Sequence, residues 1–381
     1  MRRSRFGFVV PRVGSPSARA RPAASRGRPF FGGGGVGTKR QGSVGPVPTL
    51  AELTTLRLGG PARRVEAATT TEMLVDLVRS ADAAGEPVLI VGGGSNLVVA
   101  DDGWDGLVVL VRNEAVDVLG SPESVLVVAE AGVSWDHLVA TSVEQDWSGL
   151  AAMSGIPGRT GATPVQNVGA YGHEIAEVVA SVLVLDRETG VVEKWTPERC
   201  EFGFRTSAFK YTDRYVVLEV ALRLDRSPLA PPVRYLEVAR RLGVEPSERV
   251  PSARVREAVL DLRRSKGMVL DPDDHDTWSV GSFFVNPFVP RELVPAGCPN
   301  WEVDGQVKLS AAWLIENAGF AKGFHLDGPV AVSTKHSLAL TNRGGATTKE
   351  LLELARVIRA GVQERFGITL RPEARLAGVE L

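Results

Sequence analysis

The chain predicts an α+β fold, and three observations carry that prediction. Short apolar strands and amphipathic helices are mixed along it without strict β–α alternation. With 381 residues, 44% hydrophobic and 23% charged, it resembles an ordinary globular protein with room for two or three domains. A proline cluster, Pro228, Pro231 and Pro232, marks a boundary between two halves.

Residues 1–47 stand apart. They are rich in Arg, Gly, Pro and Ser, centre on Gly32–Gly35, and contain no acidic residue before Glu52. Such a segment cannot bury enough apolar surface to offset chain entropy, so a disordered basic extension is expected. Arginine without acid also describes a transit peptide, and Arg2-Arg3 suggests a twin-arginine signal. The apolar stretch Phe6–Val10 is too short for a signal core, and a dispensable extension is the reading preferred. The formal net charge of −1 leaves the rest of the chain mildly acidic, against a nucleic-acid groove. The two cysteines, Cys200 and Cys298, have no metal-ligand spacing and suit a reducing, cytoplasmic compartment. No apolar run reaches the roughly 18 residues of a membrane span.

From Thr49 the pattern becomes regular. Thr69–Ala84 reads as a helix, with Thr69 and Glu72 as its capping box and Leu74, Leu77, Val78 and Ala81 on one face. Strands are expected at Val88–Val91, Leu107–Val111 and Val125–Ala129, then a helix at Ser134–Gln145. Val182–Leu185 and Val191–Trp195 flank Glu188-Thr189-Gly190 as a hairpin. Tyr215–Leu224 alternates as a strand. Helices follow at Ser252–Lys266, Leu309–Asn317 and Thr347–Phe366, the last with a capping box, Thr347 and Glu350, and Gly367 at its end.

Two stretches can carry chemistry. Gly92-Gly93-Gly94-Ser95-Asn96-Leu97 leaves a buried strand, and its backbone N–H groups could approach a phosphate closely; a plain turn is the rival reading. Leu97 stands where a dinucleotide fingerprint needs its third glycine. Residues 156–172 are too dense in glycine and proline for helix or strand, and so long a loop inside a domain is uncommon unless functional. Metal chemistry finds no support: Asp271, Asp273, Asp274, His275 and Asp276 resemble a calcium loop but lack its glycine, and read as a solvated acidic turn.

These two stretches, in their order and separation, resemble the FAD-binding segments of the UDP-N-acetylenolpyruvoylglucosamine reductase family. The resemblance opens at Thr54–Ala62 and continues through Phe202–Lys210, Gly281–Pro287 and Lys308–Gly319. It closes at Leu370–Arg375, so it spans the chain from Thr49 onward. It implies an FAD-binding half of two α+β subdomains of the PCMH type, residues 48–226, dividing near 112. A C-terminal α+β substrate domain, 227–381, follows, its last residues returning to the active site.

The resemblance also implies chemistry. NADPH reduces FAD, and the flavin reduces a UDP-sugar enolpyruvyl ether in peptidoglycan precursor synthesis, which serves cell shape and division. FAD contacts fall on Gly92, Gly93, Gly94, Ser95, Asn96, Leu97, Pro157, Gly158, Gly161, Thr163, Gln166, Asn167, Gly169, Ala170 and Tyr171. Arg205 is implied as the carboxylate-binding cation, Glu373 as its partner and Ser282 as the proton donor. Tyr235, Lys266 and Asn286 would hold the nucleotide, with 231–262 as a loop closing over substrate. Singly, Arg205 could be a surface arginine, Ser282 a turn cap and Glu373 an exposed carboxylate. No metal, nucleic-acid or membrane partner is expected, and a monomer is. Two rival readings stand: another FAD-dependent oxidoreductase of the same superfamily, or a silent nucleotide-binding module.

Overall fold

The first regular unit of the chain is parallel. Strands Ala62–Ala68 and Val88–Val91 flank Trp104–Val111, giving a parallel three-stranded sheet. Parallel strands need crossover connections, and helix α1, Thr71–Ala83, forms the one between the two outer strands. Its Leu74, Val75, Val78 and Ala81 pack on Leu107 and Val109 of the sheet. The helix cap corrects the expected one. Thr70, not Thr69, stands at the N-cap and accepts from the Met73 N–H at 3.1 Å, because the chain stays extended through Thr70. These statements concern residues 48–303 and 305–381, which the computed structural model describes; the expected disordered extension lies outside them.

A six-stranded antiparallel sheet follows. Its main path runs Val192–Trp195, Val179–Asp186, Tyr215–Arg226, Ser124–Glu130, Val116–Gly120, with Trp147–Ser148 paired to the end of the long strand. Burial alternates along Ser124–Glu130, so Val125, Val127 and Ala129 face one core. Helix α2, Trp135–Glu144, covers that face with Trp135, Leu138 and Val139. From the opposite face, Leu185, Val216 and Leu218 join the cluster around α1, so α1 is packed between two sheets. The expected hairpin is present, Leu185 pairing with Val192.

The proline cluster leads into helices α3, Leu236–Leu242, and α4, Ser252–Ser265. The stretch 231–262 thus carries the helix expected from Ser252 and one that was not expected, α3. Both helices share an apolar cluster with Ala151 and Tyr171, and Arg256 of α4 grips Asp136 of α2 with two hydrogen bonds, 2.7 and 2.9 Å. A three-stranded antiparallel sheet then forms from Phe288–Val289, Gln306–Leu309 and Asn300–Val303. Leu309 thus belongs to a strand, and helix α5 begins later than expected, Ala311–Asn317, capped by Ser310. Helix α6, Thr348–Phe366, has the expected capping box of Thr347 and Glu350, and Gly367 closes it in the left-handed region at φ 70°. Its buried face, including Leu351, Leu354, Ala355, Ile358 and Val362, shares one core with Phe283 and Phe284.

Leu56, Leu58 and Val98, from the opening of the described chain, belong to that same core. The Asn342 amide donates to the Leu56 and Arg57 carbonyls at 3.1 and 3.2 Å. The closing strand Arg375–Ala377 runs parallel to Leu97–Val99, directly after the Gly-rich turn. Strand Ala62–Ala68 escaped the sequence reading because Arg63, Arg64 and Glu66 break the apolar alternation.

The acidic turn also needs correction. Asp271 and Asp273 are exposed, but Asp276 is only 5% exposed. It accepts from Thr334 N at 2.9 Å and from Arg343 at 2.9 Å, and the Thr334 hydroxyl donates to its other oxygen. Burial alone would raise this carboxyl, but the bonds from Thr334 and Ser333 and the charge of Arg343 outweigh it and hold it below the ordinary range. Asp276→Ala strands Arg343 and two donors, so it should cost about 3 kcal/mol, read as a lower urea midpoint. Since the folded carboxyl titrates below its unfolded value, the stabilisation exists above about pH 4 and disappears as pH falls through the folded pKa. Parent and variant should therefore converge in acid; equal midpoints at neutral pH would deny Asp276 this anchoring role.

Candidate active site

The buried strand Val88–Val91 ends at the turn Gly92–Asn96, and the chain resumes as strand Leu97–Val99. That turn forms one wall of a cavity of about 390 Å³. Among the described residues, the N–H groups of Gly93, Gly94, Ser95 and Asn96 have no protein acceptor. Unpaired backbone donors are costly unless a ligand or water takes them, and a row of them suits a phosphate. The loop 156–172 forms the facing wall. Ser95 donates to the Pro157 carbonyl at 3.0 Å, joining the two walls. Their approach is so close that a Cβ on Gly93 would stand 2.7 Å from the Gly158 Cα.

Most of the expected cofactor residues line this cavity: the whole turn Gly92–Leu97, then Pro157, Gly158, Thr163, Gln166 and Gly169. Four do not. Gly161 lies behind the wall, where a Cβ would meet that of Ala131 at 2.4 Å. Asn167 is buried, its amide donating to Glu174 at 2.7 Å and to the Gly203 carbonyl at 3.0 Å. Ala170 pairs with His173 in a two-residue ladder. Tyr171 turns toward a smaller, separate cavity and meets Tyr235 edge-on at 5.6 Å.

Arg205, Ser282 and Glu373, widely separated in sequence, all line the one cavity. Arg205 sits in the left-handed region at φ 53°, in a turn closed by the Gly203–Thr206 bridge. Its guanidinium donates to the Gly169 carbonyl at 2.6 Å, approaches Glu373 at 3.6 Å and Glu174 at 3.9 Å. Glu373 follows Pro372, which bridges to Phe284, and its own N–H donates to the Phe283 carbonyl at 2.8 Å. This pairing sets Glu373 against the segment that carries Ser282. Burial pushes the Glu373 carboxyl above its ordinary range, against the opposing charges of Arg205 and Lys210. Among the described residues the Ser282 hydroxyl has no hydrogen-bond partner, so it is free to meet a ligand.

The three expected nucleotide contacts lie off this cavity's lining. Tyr235 stands at the N-terminal edge of α3 without a capping hydrogen bond and is 44% exposed. Lys266 pairs with Glu237 at 2.6 Å. Asn286 uses Oδ1 to accept from the Ala311 N–H at 2.9 Å, capping α5. Sequence reasoning missed Thr55, Arg159 and Arg263, which do line the cavity. Arg263 donates to the Met268 carbonyl at 2.8 Å but leaves its buried Nε unpaired. The available signal was an arginine on the inner face of an amphipathic helix. Lys308 lies near Arg205 but off the cavity lining: burial pushes its ammonium down, the Arg205 charge adds to the effect, and it lies 4.5 Å over the Phe204 ring.

Residues 62–195 match the family described as FAD binding domain. A cleft walled by a Gly-rich turn with free N–H groups fits the diphosphate of that cofactor, so the protein is a flavin-dependent oxidoreductase. Residues 271–377 match the C-terminal domain of UDP-N-acetylenolpyruvoylglucosamine reductase. A curated reductase of that name from Cutibacterium acnes is 51% identical, covering 90% of this chain and 93% of its own. One from Thermobifida fusca is 52% identical, covering 87% and 97%. The crystal structure of the Thermus caldophilus reductase superposes with a TM-score of 0.62 at 26% identity, over 87% of this chain and 97% of that one. The chain belongs to the UDP-N-acetylenolpyruvoylglucosamine reductase family.

The walls make the flavin site sensitive to a single methyl. Gly93→Ala must push the turn and the Gly158 loop apart, at about 1–3 kcal/mol. FAD should then bind roughly tenfold to a hundredfold more weakly, measured as flavin lost on dilution by visible absorbance. Parent-like retention would mean that the contact between the walls does not shape the site.

Proposed function

We propose that Arg205, Ser282 and Glu373 form the catalytic group that reduces UDP-N-acetyl-3-O-(1-carboxyvinyl)glucosamine to UDP-N-acetylmuramate. Membership of the family makes the protein an FAD-dependent reductase of peptidoglycan precursor synthesis that uses NADPH. The observation that supports these residue roles is their convergence on the cavity walled by the Gly-rich turn. Another oxidoreductase of the same superfamily would not need the three together.

Bound FAD supplies the relay of a hydride from NADPH to the terminal carbon of the enol ether. The protein's task is the other end of that double bond. As the terminal carbon becomes a methyl group, electrons shift toward the substrate carboxylate and an enediolate develops. Arg205 binds that carboxylate, because a guanidinium offers a planar fork of donors. Glu373, holding its proton through burial, donates a hydrogen bond to the growing negative charge. Donors placed in advance where charge develops stabilise the transition state more than the bound substrate. Ser282 gives its proton to the carbon beside the carboxylate and regains one from water. A hydroxyl is a weak acid, but an enediolate is a strong base.

Tyr235 and Lys266 take the nucleotide end beyond the cavity lining, with the pair of Lys266 and Glu237 opening to release the ammonium. Asn286 keeps its amide N–H groups for the same end. Gly161, Asn167 and Ala170 support the flavin from behind the wall, and Tyr171 braces that loop from the neighbouring cavity. A monomer working in the cytoplasm, contributing to cell shape and division, completes the reading. Among the described residues no helix is long and apolar enough to cross a membrane.

Ser282→Ala should keep NADPH reduction of the flavin and slow the second half-reaction by roughly 10²–10⁴. Stopped-flow absorbance follows both steps, and parent-like flavin reoxidation by the enol ether would remove Ser282 from the proton transfer. The rate of that step should fall as pH rises through the elevated pKa of Glu373, since the protonated carboxyl is the active form. Glu373→Gln keeps a donor that cannot ionise, so its profile should lose the alkaline limb. An unchanged limb in that variant would assign the ionisation to another group.

A further inference from the structure

Lys210 ends the segment Phe202–Lys210 and takes no part in the reaction described above. Its ammonium points inward and donates to the Glu373 carbonyl at 2.9 Å and to Gln166 Oε1 at 3.0 Å. The Asn96 amide reaches the same two oxygens, at 3.4 and 2.9 Å. Two side chains from separate parts of the chain thus donate to the carbonyl of Glu373, and Gln166 accepts from both of them. A neutral amide would satisfy a carbonyl as well, and burying an ammonium is costly. The charge therefore calls for a reason, and the carboxyl of Glu373 supplies one.

We propose that Lys210 is the positioning residue for Glu373: it ties that residue's backbone to Gln166 of the loop 156–172 and shares with Arg205 the charge balance of its carboxyl. It acts through Glu373 and does not touch the substrate. The proposal rests on the role given to Glu373 above. The charged groups around this carboxyl are Arg205, at 3.6 Å, and Lys210. Arg205 also faces Glu174, and Lys210 also faces Arg375, which is paired with Asp213 at 2.6 Å. Burial lowers the Lys210 ammonium while Glu373 draws it back up. Removing the cation leaves burial less opposed, so Glu373 should hold its proton to still higher pH.

The test uses the full-length holoenzyme with Lys210→Gln, Lys210→Met and Lys210→Arg, and Glu373→Gln as reference. Each is reduced with NADPH and mixed with the enol ether across a pH series. Lys210→Gln keeps a donor to the carbonyl without the charge, so its alkaline limb should move up by about one pH unit or more. Lys210→Met loses the tether as well and should also be slower, on the order of a hundredfold. Lys210→Arg should return the limb to the parent position. Should Lys210→Met fail to fold or to hold flavin, the glutamine and arginine variants decide. A limb that vanishes in Glu373→Gln but stays fixed in both neutral Lys210 variants overturns the proposal alone. So does a limb that shifts equally in Lys210→Arg. A limb that survives in Glu373→Gln overturns the role of Glu373, and this proposal with it.

Discussion

The site depends on a short pairing between the two ends of the described chain. Strand Arg375–Ala377 lies parallel to Leu97–Val99, and just before it the Glu373 N–H bonds the Phe283 carbonyl. One side of this segment is thereby fixed to the Gly-rich turn and the other to the segment of Ser282. No local propensity could bring these pieces together, since long stretches of chain separate them. The apolar core that holds them unites Leu56, Val98, Phe283 and Ile358, and burial of such side chains is the main favourable term in folding. The packed core sets the positions; the polar groups use them.

The electrostatics of the cavity follow from this closure. A carboxyl beside an arginine on an open surface would stay ionised and contribute little. Enclosed in the cavity wall, Glu373 is driven the other way by burial, although two cations oppose the change. The same enclosure leaves an orphaned Arg263 Nε and a depressed Lys308 ammonium around the site. Positive charge held with few internal partners is what an anionic substrate requires, and the protein tolerates its cost because the surrounding core is rigid.

Much of this was legible in the sequence, for identifiable reasons. The capped helix α6, the hairpin of Val182–Leu185 and the buried strand Val88–Val91 follow local rules of periodicity and turn chemistry, and they stand where those rules put them. The residues converging on the cavity were readable only through motif resemblance, which carries long-range information that periodicity lacks. What escaped has a physical signature too. Strand Ala62–Ala68 is masked by charges on its exposed positions. Asp276 looked like a solvated turn because its partners, Thr334 and Arg343, lie far along the chain. Asn286 was assigned to ligand, yet its Oδ1 also accepts from the first N–H of α5.

The parallel alignment of Arg375–Ala377 with Leu97–Val99 has a consequence for biosynthesis. The ribosome delivers the Gly-rich turn long before the strand that pairs beside it. A nascent chain can complete its α1 and α2 cores early, but the pocket wall bearing Glu373 is missing until Arg375–Ala377 has been made. Competence for turnover is thus acquired in one docking event that follows the rest of the fold, and a chain cut short before Glu373 lacks the wall altogether.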